Sequence, residues 1–240
     1  MANRFTTFPE SWWALMPKPF KLLSDDLKAL EAIVAAAVGE APPPPSGTTF
    51  AGIADGAAWP EPWAAGQVPA TGSVTVQSEQ GRLATGSAVG NYSSDDGTSA
   101  RYTTQAADFT ATFTFRRVTS VHVRFVARCN AQTLDPQDGV IVNLNGTSLE
   151  LTQVANYNYT SIATTPKTWS TNVDYKVKVA MTGATVQAKS WLATDAEPGA
   201  WDVSGTTTRT AAGHLGFWAG CDAAAASQIA LFDDITITTA

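Results

Sequence analysis

Residues 109–128 read FTATFTFRRVTSVHVRFVAR. Phe109, Ala111, Phe113 and Phe115 alternate with Thr110, Thr112, Thr114 and Arg116. After a short Val-Thr-Ser break the pattern resumes, with Val121, Val123, Phe125 and Ala127 set against His122, Arg124, Val126 and Arg128. A strict two-residue period puts one set of side chains on one face of a strand and the other set on the opposite face. The stretch is therefore two half-buried strands, and no helix accommodates it.

The same signal recurs outward in both directions. Val74–Val76 and Arg82–Ala84 flank Gln80–Gly81. Val140–Leu144 and Leu149–Val154 flank Asn145–Gly146, a strong two-residue hairpin signal. Tyr175, Val177 and Val179 alternate with Lys176, Lys178 and Ala180, and Gly183 turns the chain into Thr185–Leu192. His214–Ala219 and Ile229–Thr238 close the sequence. About ten to twelve strands with no helix between them predict an all-β, antiparallel β-sandwich or jelly roll over residues 48–240.

The region in front has a different composition. Residues 1–39 begin with Phe5, Phe8, Trp12, Trp13 and Phe20, broken by Pro9, Pro17 and Pro19. Ser24 is placed to cap a helix whose first turn carries Asp25 and Asp26. Leu23, Leu27, Leu30, Val34 and Ala37 follow at alternating steps of four and three, an a/d seam of about two heptads. Residues 40–47 then hold four consecutive prolines, which favour a semi-rigid extended spacer. A helix lying on its own β-domain needs only a short turn. The spacer instead suits an oligomerisation helix, with Trp12 and Trp13 anchoring the N-terminus on a neighbouring chain.

Composition removes several functions. The net charge is −6 and the Lys and Arg residues are scattered, so the basic stripe of a nucleic-acid binder is absent. The N-terminus lacks a basic region followed by an apolar one, and Ala29–Val38 is too short to span a bilayer. The expectation is a soluble chain made in a cytoplasm, with no membrane insertion. Cys129 and Cys221 have no metal-ligand spacing around them. They read as two buried thiols, with a single cross-strand disulfide as the alternative.

Five local patterns carry a family resemblance: Asp55-Gly56-Ala57-Ala58-Trp59-Pro60 with Trp63; Lys189-Ser190-Trp191; Glu197-Pro198-Gly199-Ala200-Trp201; Gly213-His214-Leu215-Gly216-Phe217-Trp218; and Leu231-Phe232-Asp233-Asp234-Ile235. Together they resemble the concanavalin A-like lectin/glucanase jelly roll. More narrowly, they are similar to the version found in minor tail proteins of bacteriophages infecting actinobacteria. The resemblance implies two antiparallel sheets, with the first and last strands of the domain near each other. It also implies a domain displayed on a phage tail and touching a host-surface glycan. The N-terminal helix and proline spacer are similar to the anchor-plus-head layout of tail fibres and tail-tip proteins. That layout implies a virion protein of a tail tip, fibre or other appendage, a homotrimer contacting other tail proteins. The alternatives are a carbohydrate-binding module of a bacterial surface protein and a structural decoration without a ligand.

Glucanases of this fold carry a Glu-x-Asp-x-x-Glu strand, because glycosidic cleavage needs two carboxylates. Glu150 has no acid at the required positions, so it reads as a solvated strand residue and no enzymatic activity is expected. His122 and His214 lack a nucleophile motif. Asp95, Asp96, Asp135 and Asp138 read as turn acids. No cofactor is expected. Asp233 and Asp234 fall where some members of the fold hold a structural calcium. Trp59, Trp63, Trp191, Trp201 and Trp218 read as packing residues. Tyr157 and Tyr159, in an Asn-rich stretch after the predicted hairpin, are the candidate ligand contacts.

Overall fold

The computed structural model describes residues 47–86, 97–134, 138–220 and 228–239. The expected anchor (Trp12, Trp13), the heptad residues Leu23, Leu27, Leu30, Val34 and Ala37, and the proline spacer lie outside these residues. So do Asp95, Asp96, Asp135 and Cys221. Fourteen strands make up the described part: β1 Trp63–Ala65, β2 Ser73–Gln77, β3 Gln80–Ala84, β4 Thr98–Ala106, β5 Phe109–Arg117, β6 His122–Cys129, β7 Asp138–Asn145, β8 Ser148–Ala155, β9 Asn158–Pro166, β10 Asp174–Thr182, β11 Thr185–Leu192, β12 Val203–Thr206, β13 Gly213–Gly220 and β14 Ile229–Thr239. Among the described residues no helix is long and apolar enough to cross a membrane.

The strands form two antiparallel sheets, ordered β1-β4-β13-β6-β7-β8-β9 and β12-β11-β10-β5-β14-β3-β2. The alternation of residues 109–117 is the reason. Phe109, Ala111, Phe113 and Phe115 on β5 pair with Met181, Val179, Val177 and Tyr175 on β10, so both strands turn the same apolar face inward. Their Thr and Lys partners face outward. On the first sheet, β6 contributes Val123, Phe125 and Ala127, β7 Val140, Val142 and Leu144, and β8 Leu149 and Leu151 to the same core. This is the predicted all-β sandwich with a jelly-roll arrangement.

Phe217 on β13 joins the two layers. Its ring centroid lies 4.4 Å from Phe232 and 4.8 Å from Phe113 in the opposite sheet, and 5.5 Å from Phe125 in its own. Trp63 stacks on it at 5.4 Å. The buried indoles find acceptors: Trp59 Nε1 donates to Thr75 O at 2.8 Å, Trp63 Nε1 to Thr48 Oγ1 at 3.0 Å and Trp169 Nε1 to Ser148 O at 2.9 Å. Gly81 makes room for this packing, since a Cβ there would sit 2.4 Å from Phe50 and 2.6 Å from Trp59.

The Leu231–Ile235 pattern is a strand irregularity. Register with β5 shifts between Asp233 and Thr236, and Asp234 takes a left-handed φ of 49°. The shift turns Ile235 to bridge Thr48, with Thr48 N to Ile235 O at 2.6 Å and the reverse bond at 3.0 Å. The start of the described sandwich is thereby clipped to its last strand. Cys129 is buried at the end of β6.

Truncating Phe217 removes contacts to both layers, whereas Arg116–Asp174 is a half-exposed ion pair. Phe217→Ala is expected to cost about 3–5 kcal/mol in urea unfolding, and Arg116→Ala under about 1 kcal/mol. A larger loss for the arginine variant contradicts this account of the core.

Candidate functional site

Aromatic rings are sorted sharply by burial. Among the described residues every Phe is buried, and so are Trp59, Trp63, Trp169, Trp191 and Trp218. Trp218 faces away from the main core, but Arg124 covers its ring at 4.5 Å and Leu134 packs beside it. Trp201 is half-buried under Lys189, whose Nζ lies 5.0 Å from the ring. Lys189 Nζ also donates to Pro198 O at 2.6 Å and pairs with Glu197 at 2.8 Å. The Lys189-x-Trp191 and Glu197-Pro198-x-x-Trp201 patterns are therefore a strap that ties the loop after β11 to the sheet. Hydrogen bonds from Lys189 and then Lys178 hold the Glu197 carboxyl below its ordinary pKa.

Tyr157 and Tyr159 stand apart, 57% and 52% exposed. They follow the β7–β8 hairpin, as expected, and stand at the tip of a second hairpin, which joins β8 to β9. Asn156 and Tyr157 form its two-residue turn with φ of 49° and 61°, the geometry of a type I′ turn. Asn suits that region; a bulky Tyr there is strained by about 1–2 kcal/mol. The turn holds it in place. Asn158 Nδ2 donates to Ala155 O at 3.3 Å and Asn156 O at 3.1 Å. Asn156 N donates to Asp138 Oδ1 at 3.1 Å.

Asp138 extends the site. The same oxygen takes an ion pair from Arg209, in the loop between β12 and β13. The neighbouring Thr207 Oγ1 and Thr208 N donate to Gln153 Oε1 on β8 at 2.6 and 2.8 Å. Three separate segments therefore meet at this end of the sandwich. Between them lie a pocket of about 260 Å³, bordered by Arg128, Asn130, Asp138 and Arg209, and a groove of about 600 Å³ along β9 and β12. Arg128 is a brace: its side chain is fully buried, paired with Asp108 at 3.2 Å, and donates to Ala107 O and Arg209 O. Asp138, expected from the sequence to be a turn acid, instead starts β7 and turns its carboxylate to Asn156 and Arg209. Gln153 and Thr207–Arg209 lie in other segments, and no local motif marks them.

The other candidates separate. Glu150 lies outward on β8, half-buried, in a cross-strand row with Ser99, Trp218, Arg124, Asn143 and Thr164. That row holds no second carboxylate. His122 faces outward at the start of β6, half-buried. His214 is 7% exposed, with Nε2 3.1 Å from Gln105 Nε2. Burial, and then the charge of Arg101, lower its pKa, so it stays neutral at pH 7. Asp234 N donates to Asp233 Oδ1 at 2.9 Å, and among the described residues no three His, Cys, Asp or Glu side chains converge as metal ligands.

No family model matches the chain, and no curated protein matches its sequence. Solved structures do match the fold. The carbohydrate-binding module CBM66 from Bacillus subtilis aligns over 74% of this chain and 95% of its own, with 14% identity and a TM-score of 0.51. A Bacillus subtilis protein of unknown function with a galectin-like fold aligns over 74% and 89%, with 8% identity and a TM-score of 0.54. The exoplasmic/lumenal domain of VIP36, in a Ca²⁺/Man3GlcNAc-bound form, aligns over 74% and 84%, with 10% identity and a TM-score of 0.50. At these identities the likeness is one of fold: a lectin-like jelly roll.

Burial raises the Asp233 pKa above its usual 3.8, and the charges of Asp234, Asp174 and Glu79 add to it against one backbone hydrogen bond. The folded state thus binds the proton more tightly. This contribution to stability is fully present below the unfolded pKa and is lost as pH rises through the folded value. Asp233→Asn is expected to raise the melting temperature at pH 7 and leave it nearly unchanged at pH 3. Equal effects at both pH values contradict the assignment.

Proposed function

We propose that the sandwich is a non-catalytic glycan-binding domain whose contact surface is the β8–β9 tip. The observation that carries this reading is the pair of exposed rings, Tyr157 and Tyr159, in a domain that spends its other described aromatics on packing. A flat ring matches the apolar face of a pyranose. The adjoining Asp138, Arg209 and Asn130 supply the paired donors and acceptors that vicinal hydroxyls need. The likeness in fold to a carbohydrate-binding module and to a domain solved with a bound mannose glycan supports the same reading. Single-ring variants on a glycan array test it. Tyr157→Ala and Tyr159→Ala are expected to weaken binding about tenfold each, with Tyr→Phe largely retaining it. Equal binding by wild type and both alanine variants contradicts it.

The finer reading is a virion protein of a phage tail tip, fibre or other appendage, displaying this domain toward a host-surface glycan. It rests on the sequence in front of the sandwich: Trp12 and Trp13 as anchors, the seam Leu23, Leu27, Leu30, Val34 and Ala37, and the four-proline spacer. That layout suits a homotrimeric stalk bound to other tail proteins. The likeness to CBM66 favours a second reading, a carbohydrate-binding module of a bacterial surface protein. Sedimentation equilibrium tests the stalk. A trimer that Leu27→Asp/Leu30→Asp dissociates is expected; a monomeric wild type contradicts it.

A further inference from the structure

We infer that the groove between β9 and β12 is the subsite for an extended, uncharged glycan chain running inward from the tyrosine tip; this rests on the glycan reading above. β9 and β12 are the terminal strands of their sheets at this side of the sandwich. Among the described residues β9 pairs only with β8, and β12 only with β11, so within them each presents one edge of backbone donors and acceptors without a neighbouring strand. The groove of about 600 Å³ lies along both.

Its lining sets the ligand chemistry. Thr160, Ser161 and Thr206 are exposed and offer hydroxyls. Gln153 Oε1 is committed to Thr207 and Thr208, which leaves its amide Nε2 to donate. Ile162 gives one apolar patch, set by the register irregularity where β9 pairs with Leu151 and Thr152. Gly205 lies flush against it, since a Cβ there would sit 2.3 Å from Ile162 Cγ2. No lining residue carries a charge. An acidic saccharide would therefore enter a groove with no cation to meet it, on a chain of net charge −6.

A peptide strand fits less well. Adding a strand to a sheet needs a regular edge and pockets for alternate side chains. β12 has four residues, and the irregularity at Ile162 interrupts β9. A sugar chain needs neither; it needs dispersed hydroxyl partners and a small apolar contact. Thr160 neighbours Tyr159 on β9 with its side chain on the other strand face, so a chain bound at the tip reaches the groove by passing round the β9 edge, and Thr160–Ile162 alone span about 10 Å.

The test is titration calorimetry of the full chain with cellohexaose, xylohexaose, mannohexaose and maltohexaose, and with hexagalacturonate as the acidic comparator. Thr206→Trp and Thr160→Trp, both at exposed positions lining the groove, fill it, and Thr160 lies on the strand face opposite Tyr159. Unchanged thermal melts establish that each variant is folded. The expected result is binding of at least one neutral hexasaccharide, weakened about tenfold in both variants. The groove assignment is overturned by neutral binding that both variants retain, by hexagalacturonate binding tighter than every neutral probe, or by array binding with no neutral hexasaccharide bound. A wild-type protein that binds nothing on the array overturns the glycan reading itself.

Discussion

The Phe217 ring is the contact on which the two-layer architecture depends. It touches Phe113 and Phe232 across the sandwich and Trp63 and Phe125 on its own side. Aromatic contacts of this kind add about 0.5–1.5 kcal/mol each beyond the area they bury. The cluster also fixes where the ends of the domain go. Trp63 bonds Thr48, and Thr48 bridges Ile235, so the start of the described sandwich and the last strand close over the same core. With the layers pinned there, the loops and hairpin tips at the far edges are free to vary without loosening the scaffold.

That division explains the candidate site. A hairpin such as β8–β9 is rigid because β8 is paired on both sides and the turn is held by Asn158 and Asp138. Rings on a rigid support lose little conformational freedom on binding, which is what an exposed aromatic contact requires. The left-handed Tyr157 fits this picture. A Gly in its place would relieve the turn and remove the ring.

Much of the fold was legible because its strands are half-buried. β5 and β10 show their inward and outward faces directly in the alternation of Phe or Val with Thr or Lys. Asn145–Gly146 marked the β7–β8 hairpin. β4 and β9 were not legible, for two reasons. β4 carries small and hydroxyl residues, Thr98, Ser99 and Ala100, on both faces, so it has no contrast to read. β9 is an edge strand whose residues Asn158–Ser161 are exposed whichever way they point, and an edge strand need not alternate. The Lys189–Trp201 patterns and the Leu231–Ile235 pattern were informative about the fold because they are a loop strap and a strand irregularity. They say nothing about a ligand. Within the site, Tyr157 and Tyr159 stood out as aromatics in an Asn-rich stretch, while Asp138, Gln153 and Arg209 come together only through the pairing of distant segments.

The central claim is that recognition falls on the tyrosine tip because the other described rings are committed to packing. Aromatic ¹H–¹³C spectra of the full chain, recorded through a titration with a glycan that the array identifies, test this directly. The account predicts that the ring signals of Tyr157 and Tyr159 shift with ligand while those of Tyr102, Tyr175 and the buried tryptophans stay in place. Shifts at Trp218 or Trp201 with the tip tyrosines unmoved would contradict it.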